Sequence, residues 1–266
     1  MRLRQLFLAV TLAFLLAPLA LAHEGESEAA ELFENAMVWL NFAAAVACVI
    51  VAFATMNRAG SILGRAYVFI TASILFFTGI RLFFFLTEST SVIAVTEATR
   101  AVWWHIMFYT ATGLFLAALN ALRTFRKVER TDMTTLATFF ALGGWLVLLF
   151  ALAMPLDSWT AGWFEATLWD RSGIIHFIAF AFIAYTWWML LSLRKTFGKV
   201  VTAASASFLV SLAFFGFVHL WELLGESWNV LPFSSEVIEL VEGPLFLVAL
   251  IAFLAALWRI RSALPK

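Results

Sequence analysis

The sequence predicts an all-α polytopic membrane protein with seven transmembrane helices, its N-terminus outside and its C-terminus in the cytoplasm. Three observations carry this. The chain is 64% hydrophobic and 13% charged, with a mean hydropathy of +0.95, whereas soluble domains are about 45–50% apolar. Its apolar residues fall into runs of about 20, the length of helix that crosses a bilayer core. Its lysines and arginines concentrate in alternate connections.

Residues 1–22 have the layout of a cleaved signal peptide. Arg2 and Arg4 precede an apolar core over 6–16, and Ala20-Leu21-Ala22 supplies small residues at a cleavage site. An acidic extracytoplasmic segment, 23–32, follows. A single membrane domain occupies 33–260, and 261–266 form a cytoplasmic tail. The seven predicted spans are 33–56, 62–86, 102–122, 136–155, 174–193, 203–224 and 237–260, each bounded by charge, Gly or Pro. None alternates strictly in polarity over ten residues, which argues against a β-barrel.

Charge sets the orientation. With the start of the mature chain outside, the cytoplasmic connections and adjoining helix ends hold twelve of the fifteen basic residues beyond residue 22, and only Glu129 and Asp132 among the acids. Positive charge stays on the cytoplasmic side, so the reverse topology is rejected. Trp39, Trp103, Trp104, Trp159, Trp163, Trp169, Trp221 and Trp228 all fall toward the outer side. There an indole, apolar with one hydrogen-bond donor, favours the interface as an aromatic belt. The connection 157–172 is predicted to lie flat on that surface.

An internal repeat is visible. FFTGIRLFFFLTEST, from Phe76, aligns without a gap on FFGFVHLWELLGESW, from Phe214, placing Arg81 on His219 and Phe84 on Glu222. His105 precedes Arg123 by eighteen residues, His176 precedes Arg194 by eighteen and Glu242 precedes Arg259 by seventeen. These spacings predict one extra helix followed by three helix hairpins, with His105, His176 and Glu242 at equivalent places around a threefold axis.

Ionisable groups inside a span cost about 2.5–3.5 kcal/mol each on insertion scales, so they persist where they meet partners or water. Apart from Glu34, Arg65 and Arg259 in terminal turns, they are Arg81, His105, His176, His219, Glu222, Glu239 and Glu242, all near the outer ends of spans. His219 and Glu222, three apart, share a helix face. Glu236, Glu239 and Glu242 form an acidic stripe, and Pro244 should start or kink the helix behind it. Imidazole and carboxylate from separate helices suit a transition metal: Zn, Fe, Cu or Mn. The expected ligands are His105, His176, His219 and a carboxylate from Glu222 or Glu242, supported by Arg81 and Glu239.

The sharpest functional expectation is a metal-dependent oxidoreductase or hydrolase at the outer face of the cell membrane. The alternative is a b-type haem held by two histidines, with Gly173 and Gly216, each three residues before a His, making room for the macrocycle. A further alternative is an accessory subunit whose partners are other membrane chains as well as lipid. Ion transport ranks last, because the inner half of the spans holds no ionisable group beyond Arg65 and Arg259 at its cytoplasmic edge.

Several classes are excluded. The lone Cys48 allows neither an intramolecular disulfide nor a thiolate cluster. A net charge of zero offers no field for nucleic acid. Gly-rich phosphate loops, H-E-x-x-H, C-x-x-C-H and G-x-S-x-G are all missing. All four lysines, Lys127, Lys195, Lys199 and Lys266, lie on the cytoplasmic side, so no retinal Schiff base forms within the bundle.

Overall fold

A computed structural model describes residues 28–56, 58, 61–89, 97–124, 174–194, 199–231 and 233–264. Among them the secondary structure is helical and contains no strand. The helices are α1 (Glu28–Met56), α2 (Ser61–Phe84), α3 (Glu97–Thr124), α4 (Ile174–Arg194), α5 (Lys199–Glu222) and α6 (Ser235–Ala263). A π-helical turn continues α2 over Phe85–Ser89, and a second continues α5 over Leu223–Ser227. Five helices are long and apolar enough to cross a bilayer, which marks a membrane protein; in α3 the apolar part runs Ile106–Leu119. The predicted signal peptide, the predicted span 136–155 and the connection 157–172 lie outside the described residues.

The helix bounds follow the hydropathy runs closely, α6 starting two residues before the expected 237. Of the two roles expected for Pro244, it does not start α6. The helix begins nine residues earlier, where Ser234 caps it by accepting from the Val237 N–H, and it runs on through the proline. The carbonyl of the preceding Gly243 accepts a hydrogen bond from Asn41 Nδ2 at 3.0 Å, which ties α6 to α1. Seven residues along both helices, Cys48 Sγ contacts the Leu250 carbonyl at 3.6 Å. The shared register shows that α1 and α6 run parallel. A Cβ on Gly243 would come within 2.9 Å of Met37 Cβ, so glycine lets the two backbones approach.

The helices close into a ring in which α1 packs on α2, α2 on α3, α3 on α4, α4 on α5, α5 on α6 and α6 on α1. A constant offset of 138 residues runs through it. It carries the end of α1 onto the end of α4, both ends of α2 onto those of α5, one π turn onto the other, and the start of α3 onto the start of α6. At that offset, residues 115–119 and 253–257 both read FLAAL, and Arg123 falls on Arg261. The repeated unit is therefore three helices taken twice.

This replaces the three hairpins expected from sequence. The Phe-Phe to Glu-Ser alignment has the right register, but His176 falls on Val38 and His105 on Gly243. His105, His176 and Glu242 are thus not equivalent, because α1 is part of the repeat and not an addition to it. Ring packing follows the same twofold pattern. Phe77 and Phe215, equivalent under the offset, meet edge-on at 4.9 Å between centroids, and Phe246, the counterpart of Phe108, lies 5.9 Å from Phe215.

Candidate metal centre

The site lies where α5 ends and α4 begins. The inward face of α4 carries His176, Ala179, Ile183, Thr186, Leu190 and Leu193, all buried at helical spacing, while Phe177 and Ile178 beside the histidine are exposed. On α5 the inward stripe runs Phe208, Leu212, Phe215, His219 and Glu222. Polar residues thus occupy core positions of both helices, in the two turns nearest one end of the bundle.

The helices approach closely enough for these residues to meet. A Cβ on Gly216 would be 3.3 Å from Ile183 Cγ2 and 3.8 Å from Phe180. Glycine here brings α5 against α4 one turn before His219. The space expected at Gly216 for a macrocycle is filled by those two side chains, and Gly173 lies outside the described residues.

Glu222 Oε2 bridges the two imidazoles, 2.7 Å from His176 Nδ1 and 2.8 Å from His219 Nδ1. A carboxylate only accepts, so both rings present Nδ1–H to it, and in a neutral imidazole Nε2 is then the ring's acceptor. Both histidines are 0% exposed and Glu222 is 7% exposed. Burial at that level demands such pairing, because a carboxylate moved out of water without donors loses several kcal/mol. Ligand atoms from all three residues lie within 4.8 Å of one another. Donors about 2.0–2.2 Å from one ion lie no more than about 4.4 Å apart, so the three residues stand near metal-binding distance.

Aromatic rings wall His219. Phe108 lies 4.5 Å away between centroids and Trp104 5.2 Å, both edge-on. The His176 and His219 rings are 6.0 Å apart. Two axial histidines of a haem direct Nδ1 to opposite sides of the macrocycle, whereas here both Nδ1 atoms close on one oxygen. The geometry suits a small ion and does not support haem.

Other expected residues are distributed around this core. Arg81 is buried, its guanidinium 4.0 Å from the centroid of the Phe246 ring and 5.7 Å from that of Phe77. Glu242 is half-buried on α6, within electrostatic range of Glu222 and Arg81. Glu239 is exposed. His105 belongs to α3, next to Trp104, but its side chain lies outside the described residues.

Trp104 and Phe108 were not legible as site residues. Trp103 and Trp104 read as members of the aromatic belt, yet both are buried. Only their place on the α3 face that bears Met107, Phe108 and Ala111 separates them from interfacial tryptophans such as Trp39 and Trp228, which are exposed.

Compared with protein families, curated proteins and solved structures, the chain matches none of them.

Proposed function

We propose that this is a seven-span membrane protein whose outward-facing His176–His219–Glu222 cluster binds one transition-metal ion. The observation that carries the reading is the convergence of two imidazoles and one carboxylate, buried together from two helices. This donor set suits Zn, Fe, Cu or Mn. Three protein ligands leave a coordination position for water or substrate, as in catalytic sites. For that reason we favour a metal-dependent oxidoreductase or hydrolase at the outer interface over a closed structural site. His105 and Glu242 are the proposed sources of a further ligand, which leaves a position open only where the metal takes five or more ligands, with Arg81 and Glu239 outside them.

Topology supports the same reading. Trp104 and Phe108, near the start of α3, meet His219 near the end of α5, and His176 at the start of α4 bonds Glu222 at that same end. Helices α3 and α4 therefore both begin at the site end. Between Thr124 and Ile174 the chain has to return across the height of the bundle. Residues 136–155 are the proposed fourth span that does so, after a signal peptide cleaved at Ala22. The basic ends of both three-helix units then share the cytoplasmic side.

The test is metal analysis of the purified full chain together with its visible spectrum. The expected result is about one metal ion per chain, lost in His176→Ala, His219→Ala and Glu222→Gln. His105→Ala and Glu242→Gln compared side by side identify the fourth donor by which one weakens retention. Wild-type protein without stoichiometric metal overturns the proposal. A Soret band lost in His176→Ala would put haem in its place. Neither metal nor haem, with other chains co-purifying, would leave the cluster as a hydrogen-bonded clamp in an accessory subunit.

A further inference from the structure

Beneath the His–Glu cluster, toward the middle of the bundle, a cavity opens between the two three-helix units, with about 50 Å³ of space for water-sized molecules. Its wall is built from residues related by the 138-residue offset: Ile74 and Leu212, Phe77 and Phe215, Phe115 and Phe253. It therefore lies on the approximate twofold axis, where neither unit can fill the gap left by the other. Aromatic rings border it above and below. Phe77 and Phe215 meet at 4.9 Å on the side of the site, and Phe115 lies 5.6 Å from Phe253 on the other.

We propose that this cavity is a binding site for one small, neutral, apolar molecule in the size class of dioxygen or xenon. Among the described residues, no ionisable carboxylate, amine or guanidinium lines it. The two hydroxyls that do are already committed, Ser73 Oγ donating to the Ala111 carbonyl at 2.6 Å and Thr112 Oγ to the Phe108 carbonyl at 2.9 Å. A water placed there lacks the two to four polar partners that hold buried water, and apolar cavities of this kind stay dry. A cavity of about 150 Å³ accepts benzene or xenon; one a third that size admits a diatomic gas or a noble-gas atom and rejects a ring. Phe108 forms part of the cavity wall and its ring also meets His219 at 4.5 Å, so an occupant sits one phenyl ring from the cluster. The inference rests on the lining alone and stands whether or not the cluster holds a metal.

The test uses the full chain in lipid nanodiscs, with xenon as the probe and isoleucine methyl signals as the reporter. Ile74 lines the cavity, whereas Ile50 and Ile251 are exposed on the outer faces of α1 and α6. A saturable xenon-dependent shift is expected at Ile74, and a linear, non-saturating one at Ile50 and Ile251 from xenon dissolved in lipid. Two substitutions fill the space with the residue that the equivalent position already carries: Ala45→Ile, after Ile183, and Thr112→Leu, after Leu250. Each is expected to weaken the Ile74 response at least tenfold while keeping helical content and cooperative melting. If one variant does not fold, the other decides. The proposal is overturned by a wild-type Ile74 shift that never saturates, or by an unchanged saturable shift in a folded filling variant.

Discussion

At Glu222 one carboxylate oxygen serves two imidazoles from different helices, 2.7 and 2.8 Å away. Replacing it with glutamine keeps the shape but alters the chemistry. The amide oxygen can still accept from one ring, while the amide nitrogen is a donor facing a second donor. A buried donor left without its acceptor costs about 1–3 kcal/mol. Loss of a carboxylate that ligates the metal or orients its histidines costs about 10–100-fold in metal affinity. Glu222→Gln is therefore expected to lower both the melting temperature and the affinity measured against a competing chelator. Equal affinity in wild type and variant would remove Glu222 from the site. A second measurement separates metal from clamp: chelator lowers the Tm of the wild type, as removal of any ligand of the native state must, and lowers that of Glu222→Gln by less. His176, His219 and Glu222 were legible because an ionisable residue in an apolar run is costly enough to need a reason. Trp104 was not, since a tryptophan near a helix end carries the same signature whether it faces lipid or a histidine.

The element that positions Glu222 is the end of α5, where the helix widens into a π turn and the Trp228 N–H bonds the Leu223 carbonyl at 2.9 Å. A π turn inserts a residue into the helical register and re-aims the side chains around it, and such turns recur at functional sites. Gly225 makes room for it against α6. A Cβ there would collide with Ile238 Cδ1 and lie 2.9 Å from Cγ1 of the same residue. Trp221 Nε1 donates to the Ile238 carbonyl at 3.2 Å from the other side, so Ile238 has little freedom to move away. Gly225→Val is expected to destabilise by about 1–3 kcal/mol, the usual range for overpacking, and to loosen metal retention by shifting Glu222. Adding Ile238→Ala should recover part of the lost Tm, a coupling a double-mutant cycle reads directly; additive losses would show that the two residues do not compete for space. The helices themselves were legible from hydropathy. The π turns were not, because nothing in LLGES or FLTES distinguishes a wide turn from an α-helical one. The start of α6 was legible to within two residues, 235 against the expected 237, but the Ser234 cap that begins it was not singled out, because the proline is a stronger punctuation mark.

For the whole molecule, the repeat determines what the described helices require of the rest of the chain. Sequence comparison caught its register through Phe76 and Phe214 but grouped the helices in twos, guided by the equal His-to-Arg spacings after His105 and His176. Packing groups them in threes, because α1 and α4 occupy the same place beside α2 and α5. On the proposed seven-span reading, two units of three helices that both start at the site end are joined by one more crossing, so parallel repeats of odd size predict an odd total. The consequence is testable by single-cysteine labelling in intact cells, on a Cys48→Ser background. Val230 is exposed just past the second π turn at the site end, and Ala263 is exposed at the opposite end of α6. A membrane-impermeant maleimide is expected to label Val230→Cys from outside. Ala263→Cys should label only after permeabilisation, since the positive charge of Arg259 and Arg261 keeps that end inside. A cysteine at Glu28, at the start of α1, should behave like Val230→Cys, because α1 and α6 run parallel. Labelling of Ala263→Cys in intact cells would invert the orientation and place the His–Glu cluster at the cytoplasmic face. Labelling of Glu28→Cys and Val230→Cys from opposite sides would break the parallel repeat, and with it the argument that 136–155 crosses the membrane.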